Sequence, residues 1–319
     1  DLEEYREKLR GFYFDVEELP GPIVKTTQEL AQAILKLRET FVYDEKYQRF
    51  QKKFNTYEDG DATQRTLDLL LKGWESMRVV GVIPARYGST RLPGKPLKEI
   101  CGKPMLVWVY ERVRQAKRLD AVYVATDDER IDGMCRECRI PVVMTSPSHP
   151  TGANRLQEVS ETVKADFYVQ LNGDEPLLDP SLVDAAVPES VELKEAFGTN
   201  IITRMHSPSE VMDPANIKVV FDESFKALYM SRTPIPYPFK SIEFEYYKHV
   251  GILGYNKKML DFYRDSVPGR FEKIEGIDTL RFIDYGKKLQ FIEVEHCRTL
   301  SVDTEKDLER VRRIMENTL

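Results

Sequence analysis

The string Pro84-Ala-Arg-Tyr-Gly-Ser-Thr-Arg-Leu-Pro-Gly-Lys-Pro-Leu97 sets three cations, Arg86, Arg91 and Lys95, among Gly88, Ser89 and Gly94. Glycines let backbone amides approach phosphate oxygens, while cations neutralise their charge and stabilise a departing pyrophosphate. The string fits neither GxxxxGK[ST] nor GxGxxG, which weakens the case for P-loop ATPase or hydride chemistry. Two carboxylates complete a candidate constellation. Asp174, in Asn172-Gly-Asp-Glu-Pro176, follows an apolar run past a Gly and offers the hard oxygen that Mg²⁺ on a triphosphate needs. Asp303, in Leu300-Ser-Val-Asp-Thr-Glu-Lys-Asp-Leu308, reads alone as an N-cap for a helix over 305–315. Partnered with Asp174, it reads better as a second metal ligand.

These residues need elements to bring them together. The β-branched run 79–83 ends in Pro84 as a buried parallel strand would, and strands follow at 121–125, 141–144 and 167–171. Helices over 104–116, 128–139 and 153–164 alternate with them, the first opening on Pro104, whose missing N–H costs nothing in a first turn. Such alternation predicts an α/β fold with a mostly parallel, doubly wound sheet and ligands beyond the carboxyl ends of its strands. The loop after the first strand and Asp174 after the fourth would face one cleft.

Residues 1–76 read as a helical N-terminal segment and 77–319 as the domain carrying the chemistry. Thr26-Thr-Gln-Glu29 caps an amphipathic helix bearing Leu30, Ile34 and Leu37, after Pro20-Gly-Pro22, where helix is forbidden. Further helices are expected over 44–54 and 62–72. No metal or nucleophile constellation appears in this segment. The 319-residue chain is 31% charged and 41% hydrophobic, which suits packed domains and excludes a disordered or collagen-like chain. Its net charge of −6 argues against general nucleic-acid binding, so a polyphosphate needs a local cationic cluster. No apolar run spans a membrane, and the start resembles no signal peptide. Four cysteines, with Cys135 and Cys138 in a helical stretch and no second pair nearby, read as reduced thiols of a cytoplasmic protein. The missing initiator Met predicts a piece of a longer polypeptide.

Two resemblances follow. Asp1-Leu-Glu-Glu-Tyr5, Arg10-Gly-Phe-Tyr-Phe14, Pro20-Gly-Pro-Ile-Val-Lys25 and Tyr57-Glu-Asp-Gly60 resemble the C-terminal end of the CDP-glycerol glycerophosphotransferases of teichoic-acid and capsule synthesis. The segment 83–97, Val124-Ala-Thr-Asp127, Gly173-Asp-Glu-Pro176, Ile217-Lys-Val-Val220 and Ser231-Arg-Thr-Pro-Ile-Pro236 resemble the CMP-KDO synthetases (3-deoxy-manno-octulosonate cytidylyltransferases). His249-Val-Gly-Ile-Leu-Gly-Tyr255, Phe271-Glu-Lys-Ile-Glu275, Thr279-Leu-Arg281 and Val302-Asp-Thr304 extend the likeness in order. It implies a nucleotide-sugar transferase (GT-A-like) domain with a β-rich insertion, a homodimer, CTP as substrate and Mg²⁺ as cofactor. By the same resemblance Arg86, Ser89, Arg91, Lys95, Arg155 and Asn172 would bind the nucleotide. Lys95, Arg86, Asp174 and Asp303 would serve catalysis, with Asp174 and Asp303 holding the metal. Arg232, His249 and Asp278 would meet the acceptor, although a lone His on a strand can equally be a packing residue.

Several acceptor-side residues depart from the family's strings. Gln is replaced by Asn172, an acidic residue by Asn154, Tyr by Leu253, Glu by Asp278 and Gln by Thr279. Retained phosphate residues beside altered sugar contacts predict cytidylyl transfer to a changed acceptor. The reading is therefore transfer of CMP to a small acidic sugar, KDO or a related ulosonate, for capsule or lipopolysaccharide synthesis. Alternatives are a phosphorylated acceptor giving a CDP-linked precursor, or a non-catalytic nucleotide-binding module of a larger bifunctional polymerase. A DxD-type glycosyltransferase is weaker, because Asn172-Gly-Asp174 supplies one carboxylate where two are needed.

Overall fold

The computed structural model describes residues 18–54 and 77–317, apart from Thr90, residues 191–193 and 241–243, His296 and residues 298–299. The chain divides into two units between Ser76 and Met77. In the first, α1 (Thr27–Thr40) starts at Thr26, whose hydroxyl accepts the Glu29 N–H at 3.1 Å, and α2 (Glu45–Phe54) follows. Leu30, Ile34 and Leu37 on α1 are exposed. The helix expected over 62–72 lies outside the described residues.

The second unit opens with β1 (Val79–Ala85), whose Val79, Val80, Val82 and Ile83 are almost fully buried. Sequence reading ended this strand at Pro84, yet the ladder to β4 (Ala121–Thr126) continues through Pro84 to Ala85. Pairing of β1 with β6 (Phe167–Leu171) stops at Val82, so the missing Pro84 N–H removes no bond on that side. A 3₁₀ turn (Lys95–Leu97) and the two-residue strands β2 (Glu99–Ile100) and β3 (Lys103–Pro104) lead into α3 (Met105–Val113). α4 (Glu129–Glu137), β5 (Val142–Met144), α5 (Gly152–Thr162) and α6 (Pro180–Ala186) continue the winding. Asp128 and Thr151 cap α4 and α5 with side-chain oxygens.

Beyond β6 come β7 (Phe197–Arg204), α7 (Pro208–Met212), β8 (Lys218–Phe221), β9 (Ala227–Ser231) and β10 (Tyr247–Asn256). α8 (Lys257–Asp265), α9 (Arg270–Glu275), α10 (Leu280–Asp284), β11 (Lys288–Glu293) and α11 (Glu305–Glu316) complete the unit. The sheet order is β11-β7-β10-β6-β1-β4-β5, with the β8–β9 hairpin joined through β10. Parallel ladders join β6 to β1, β1 to β4, β4 to β5 and β11 to β7. β10 runs antiparallel between β6 and β7, with a register shift between His249 and Leu253. The expected mostly parallel α/β sheet with a β-rich insertion is thus present.

One buried cluster fixes the site. Leu92 from the cation-bearing loop packs with Ile100, Met105 and Val302 and with Leu308, Val311 and Met315 of α11. Burying this apolar surface carries the chain's C-terminal part onto the loop after β1, across more than 200 residues of sequence. Cys101, Cys135 and Cys138 are free thiols, and burial pushes the Cys135 thiol up to about 12, so that thiol stays protonated at neutral pH.

Candidate active site

The loop after β1 bends through Gly94, at φ 68°, where a Cβ would lie 3.1 Å from the Tyr87 ring. That left-handed residue turns the chain so that Lys95 points back over the strand ends. Its Nζ donates to Asp174 Oδ2 at 2.6 Å and to Asp303 Oδ1 at 3.2 Å, and Arg91 reaches Asp303 at 3.1 Å. Two carboxylates 129 residues apart in sequence therefore meet over one ammonium. The Val302 N–H donates to the Asp174 carbonyl at 2.9 Å and clips the C-terminal segment to the end of β6.

Asp303 is not the cap of α11. Thr304 is: its hydroxyl accepts the Asp307 N–H at 3.3 Å, and the Asp307 carboxylate accepts the Thr304 N–H at 2.9 Å. The Asp303 carboxylate is thereby left for the cations. A cavity of about 410 Å³ lies beside these groups, walled by Arg86, Ser89, Arg91, Lys95, Asp174 and Asp303. Asp174 Oδ1 is buried without a hydrogen-bond partner. No cluster of three or more His, Cys, Asp or Glu suited to a metal exists among the described residues. A pair of carboxylates with one orphaned oxygen suits a hard cation that takes its remaining ligands from phosphate and water, as Mg²⁺ does.

A second cavity of about 250 Å³ shares Pro84, Ala85 and Arg86 with the first, and also meets Arg155, Asn172 and Asp278. Arg155 forms part of its wall, but its guanidinium is committed to Asp127 at 2.9 Å and Thr145 at 2.6 Å, tying the ends of β4 and β5 together. His149 faces this cavity and pairs with Glu158, which also accepts the Ser146 N–H at 2.9 Å. The Asn154 side-chain oxygen accepts from the Thr151 hydroxyl at 2.8 Å.

A third cavity of about 220 Å³ shares Gln170, Asn172 and Asp278 with the second and is walled by alternate residues of β10. His249 Nδ1 lies 2.7 Å from Asn200 Oδ1. The Asn200 amide donates to the carbonyls of Val250 and Ile252, so its oxygen must accept and His249 Nδ1 must carry the proton. Burial holds the imidazole down at about 4, so His249 meets the cavity as a neutral ring whose Nε2 can accept but not donate. Asp278 opens onto the cleft yet loses hydration there. That loss and the charge of Glu272 raise its carboxyl above the usual range, against the pull of Arg281. Gly251 is required by Asn172: a Cβ would fall 1.9 Å from Asn172 Nδ2.

Arg232 corrects the sequence reading. Its guanidinium donates to the carbonyls of Glu275, Pro214 and Gly276 at 2.9, 3.0 and 3.3 Å, and it walls none of the three cavities. It fastens loops to one another and does not present a grip for an acceptor. Arg281 likewise forms a buried ion pair with Glu272 and lies 3.9 Å from the Tyr263 ring, which explains that matching string as packing around the Asp278 turn.

Sequence reading missed Glu175 and Gln170. Glu175 is buried beside Asp174, and burial with that neighbour's charge raises its carboxyl to about 7. It accepts from Asn172 and from Ser301, both at 3.3 Å, linking the β6 turn to the segment carrying Asp303. Its place in Gly173-Asp-Glu-Pro176 was the available signal.

Comparison with known proteins bears directly on this geometry. A family model described as cytidylyltransferase matches residues 80–289. The chain belongs to the cytidylyltransferase family. It is a nucleotidyltransferase, and its relatives include a Solibacter usitatus 3-deoxy-manno-octulosonate cytidylyltransferase, 39% identical over 76% of this chain and 96% of that one. A Shewanella frigidimarina 8-amino-3,8-dideoxy-manno-octulosonate cytidylyltransferase is 37% identical over 73% of this chain and 97% of its own. Among solved structures, a CMP:2-keto-3-deoxy-manno-octonic acid synthetase complexed with CTP aligns with TM-score 0.70 and 38% identity, covering 76% of this chain and all of that one. Residues 1–72 match a model described as CDP-glycerol:poly(glycerophosphate) glycerophosphotransferase. No helix among the described residues is long and apolar enough to cross a membrane.

Proposed function

We propose that this cytidylyltransferase transfers CMP from CTP to an acidic sugar of the ulosonate class, 3-deoxy-manno-octulosonate or a relative of it, and releases pyrophosphate. The observation that carries this reading is Lys95 seated between Asp174 and Asp303 in a cation-lined cavity that adjoins the second one. CTP is supported by the related synthetase complexed with it, and the acceptor class by the names of the relatives. Asp174 and Asp303 would hold Mg²⁺, which when bound neutralises phosphate charge.

Arg86, Ser89, Arg91 and Lys95 bind the triphosphate, and Lys95 offsets charge developing at the α-phosphate. Asn172 stands where the second and third cavities join, between nucleotide and acceptor, with Arg155 holding the surrounding loops. His249 and Asp278 orient the acceptor. An acceptor oxygen attacks the α-phosphorus, the bond to the bridging oxygen breaks, and pyrophosphate departs. Positioning and electrostatics do most of the work in such transfers. The match of residues 1–72 supports a setting in surface-polymer synthesis, where cytidine-activated units are consumed, and a place within a bifunctional polypeptide. The exposed Tyr237 and Phe239 after β9 suit a homodimer formed through the β-rich insertion. Pyrophosphate release measured with CTP, UTP and ATP against ulosonates and small phosphate esters tests the reading. Release is expected with CTP and a ulosonate; none with that pair contradicts it.

A further inference from the structure

Tyr87 lies inside the cation-bearing loop, between Arg86 and Gly88, and no step of the proposed transfer uses it. Its carbonyl accepts the Gly94 N–H at 3.1 Å, which pins the two ends of the stretch 88–93 together. Its ring lies over Gly94, where a Cβ would fall 3.1 Å from both the ring Cζ and the hydroxyl oxygen. Gly94 immediately precedes Lys95. Whatever holds the Tyr87 ring therefore also holds the backbone from which Lys95 reaches Asp174 and Asp303.

Arg130 holds that ring. Its guanidinium carbon stands 3.3 Å from the centre of the Tyr87 ring, the distance of a stacked cation. Arg130 is the second residue of α4, where a cation opposes the positive end of the helix dipole, so the helix alone gives no reason for its place. Asp128 and Tyr87 together give one. Asp128 receives Nε at 2.9 Å and Nη2 at 2.6 Å, a two-pronged pairing that fixes the plane of the guanidinium as well as its position. The adjacent Asp127 holds Arg155 in the wall of the second cavity. Neither Tyr87 nor Arg130 walls any of the three cavities, so both act on the site through the loop.

Resting on the cytidylyltransferase reading above, we propose that Arg130 and Tyr87 are positioning residues of the triphosphate site. The guanidinium fixed by Asp128 keeps the Tyr87 ring seated over Gly94, and the seated ring fixes the turn that aims Lys95. Arg130 works by its flat face against the ring and is not itself a phosphate ligand.

The test is kcat and KM for CTP, from pyrophosphate release by full-chain variants at saturating 3-deoxy-manno-octulosonate, beside calorimetric Kd values for CTP with Mg²⁺. Arg130→Ala should lower kcat/KM for CTP by about five- to tenfold and leave the acceptor KM within twofold of the wild type. Arg130→Lys should fall nearly as far, because an ammonium has neither the flat face nor the fork that Asp128 grips. Tyr87→Leu should lose at least as much as Arg130→Ala, whereas Tyr87→Phe, which keeps the ring, should lose less than threefold. The double variant Tyr87→Leu/Arg130→Ala should stay within twofold of Tyr87→Leu, since both changes remove one contact. The Kd for CTP, which needs no acceptor, should follow the same order. Arg130 is 58% exposed, so its variants carry the test if those of the half-buried Tyr87 do not fold. Arg130→Ala within twofold of the wild type, or losses that multiply in the double variant, overturns the inference. Full rescue by Arg130→Lys overturns it too, and makes Arg130 a direct phosphate ligand. Each of these outcomes strikes the inference alone when the wild type binds CTP; a wild type that binds none overturns the reading beneath it as well.

Discussion

Replacing Lys95 with Met removes the ammonium that bridges Asp174 and Asp303 while keeping a side chain of similar length. Both carboxylates touch one nitrogen, at 2.6 and 3.2 Å, so they stand at most about 6 Å apart and repel by roughly 3 kcal/mol at an effective dielectric of 20. Lys95 is 16% exposed, and water softens the penalty relative to a fully buried pair. The expected loss of stability is therefore about 1–3 kcal/mol, below the 3–5 kcal/mol of the buried case. Turnover suffers more, by about 10²–10³, because a donor aimed at developing phosphoryl charge is gone. The variant should also respond to Mg²⁺ alone more than the wild type does, since a cation can now replace the ammonium; saturation at ten times Kd adds about 1.4 kcal/mol. Thermal unfolding with and without MgCl₂, beside pyrophosphate release, reads all three effects. Turnover within threefold of the wild type, or an identical Mg²⁺ response, refutes the reasoning.

Three further outcomes are expected. His249 is held down at about 4 from its usual 6.5, so the folded state prefers the neutral ring: its contribution is complete above pH 6.5 and is lost as pH falls toward 4, about 3 kcal/mol in all. His249→Gln should flatten that part of a stability-against-pH curve measured by urea unfolding. Gly251→Ala would drive a methyl into Asn172, so steady-state kinetics should show a larger fall in kcat/KM for the acceptor than any change in KM for CTP. Arg232→Ala should cost about 1–2 kcal/mol of stability through its lost main-chain bonds and leave the acceptor KM within threefold of the wild type; a large rise in that KM would return Arg232 to the acceptor site.

The sequence made some of this legible and hid the rest for physical reasons. β1, β4 and β6 stand out because β-branched runs are bounded by Pro or Asp, a local signal. β7 does not, since Thr199, Asn200 and Thr203 are buried polar residues whose partners come from distant segments. The antiparallel seat of β10 is a matter of non-local pairing, which periodicity cannot report. Lys95, Asp174 and Asp303 could be assembled in advance because residue type and strand-end position narrowed their roles. For Arg232 residue type alone misled: a guanidinium that suits a carboxylate also suits three carbonyls, and only the fold chooses between them. The shared wall of Asn172, Leu253, Asp278 and Thr279 lay beyond any sequence pattern, since three elements meet to make it.

The most direct test is the rate of pyrophosphate release by Asp174→Asn at saturating CTP, Mg²⁺ and acceptor. Removing the charge from an oxygen 2.6 Å from Lys95, in the residue whose other oxygen is orphaned, should lower that rate by about a thousandfold with folding intact. A folded Asp174→Asn protein that still releases pyrophosphate at the wild-type rate would contradict the account.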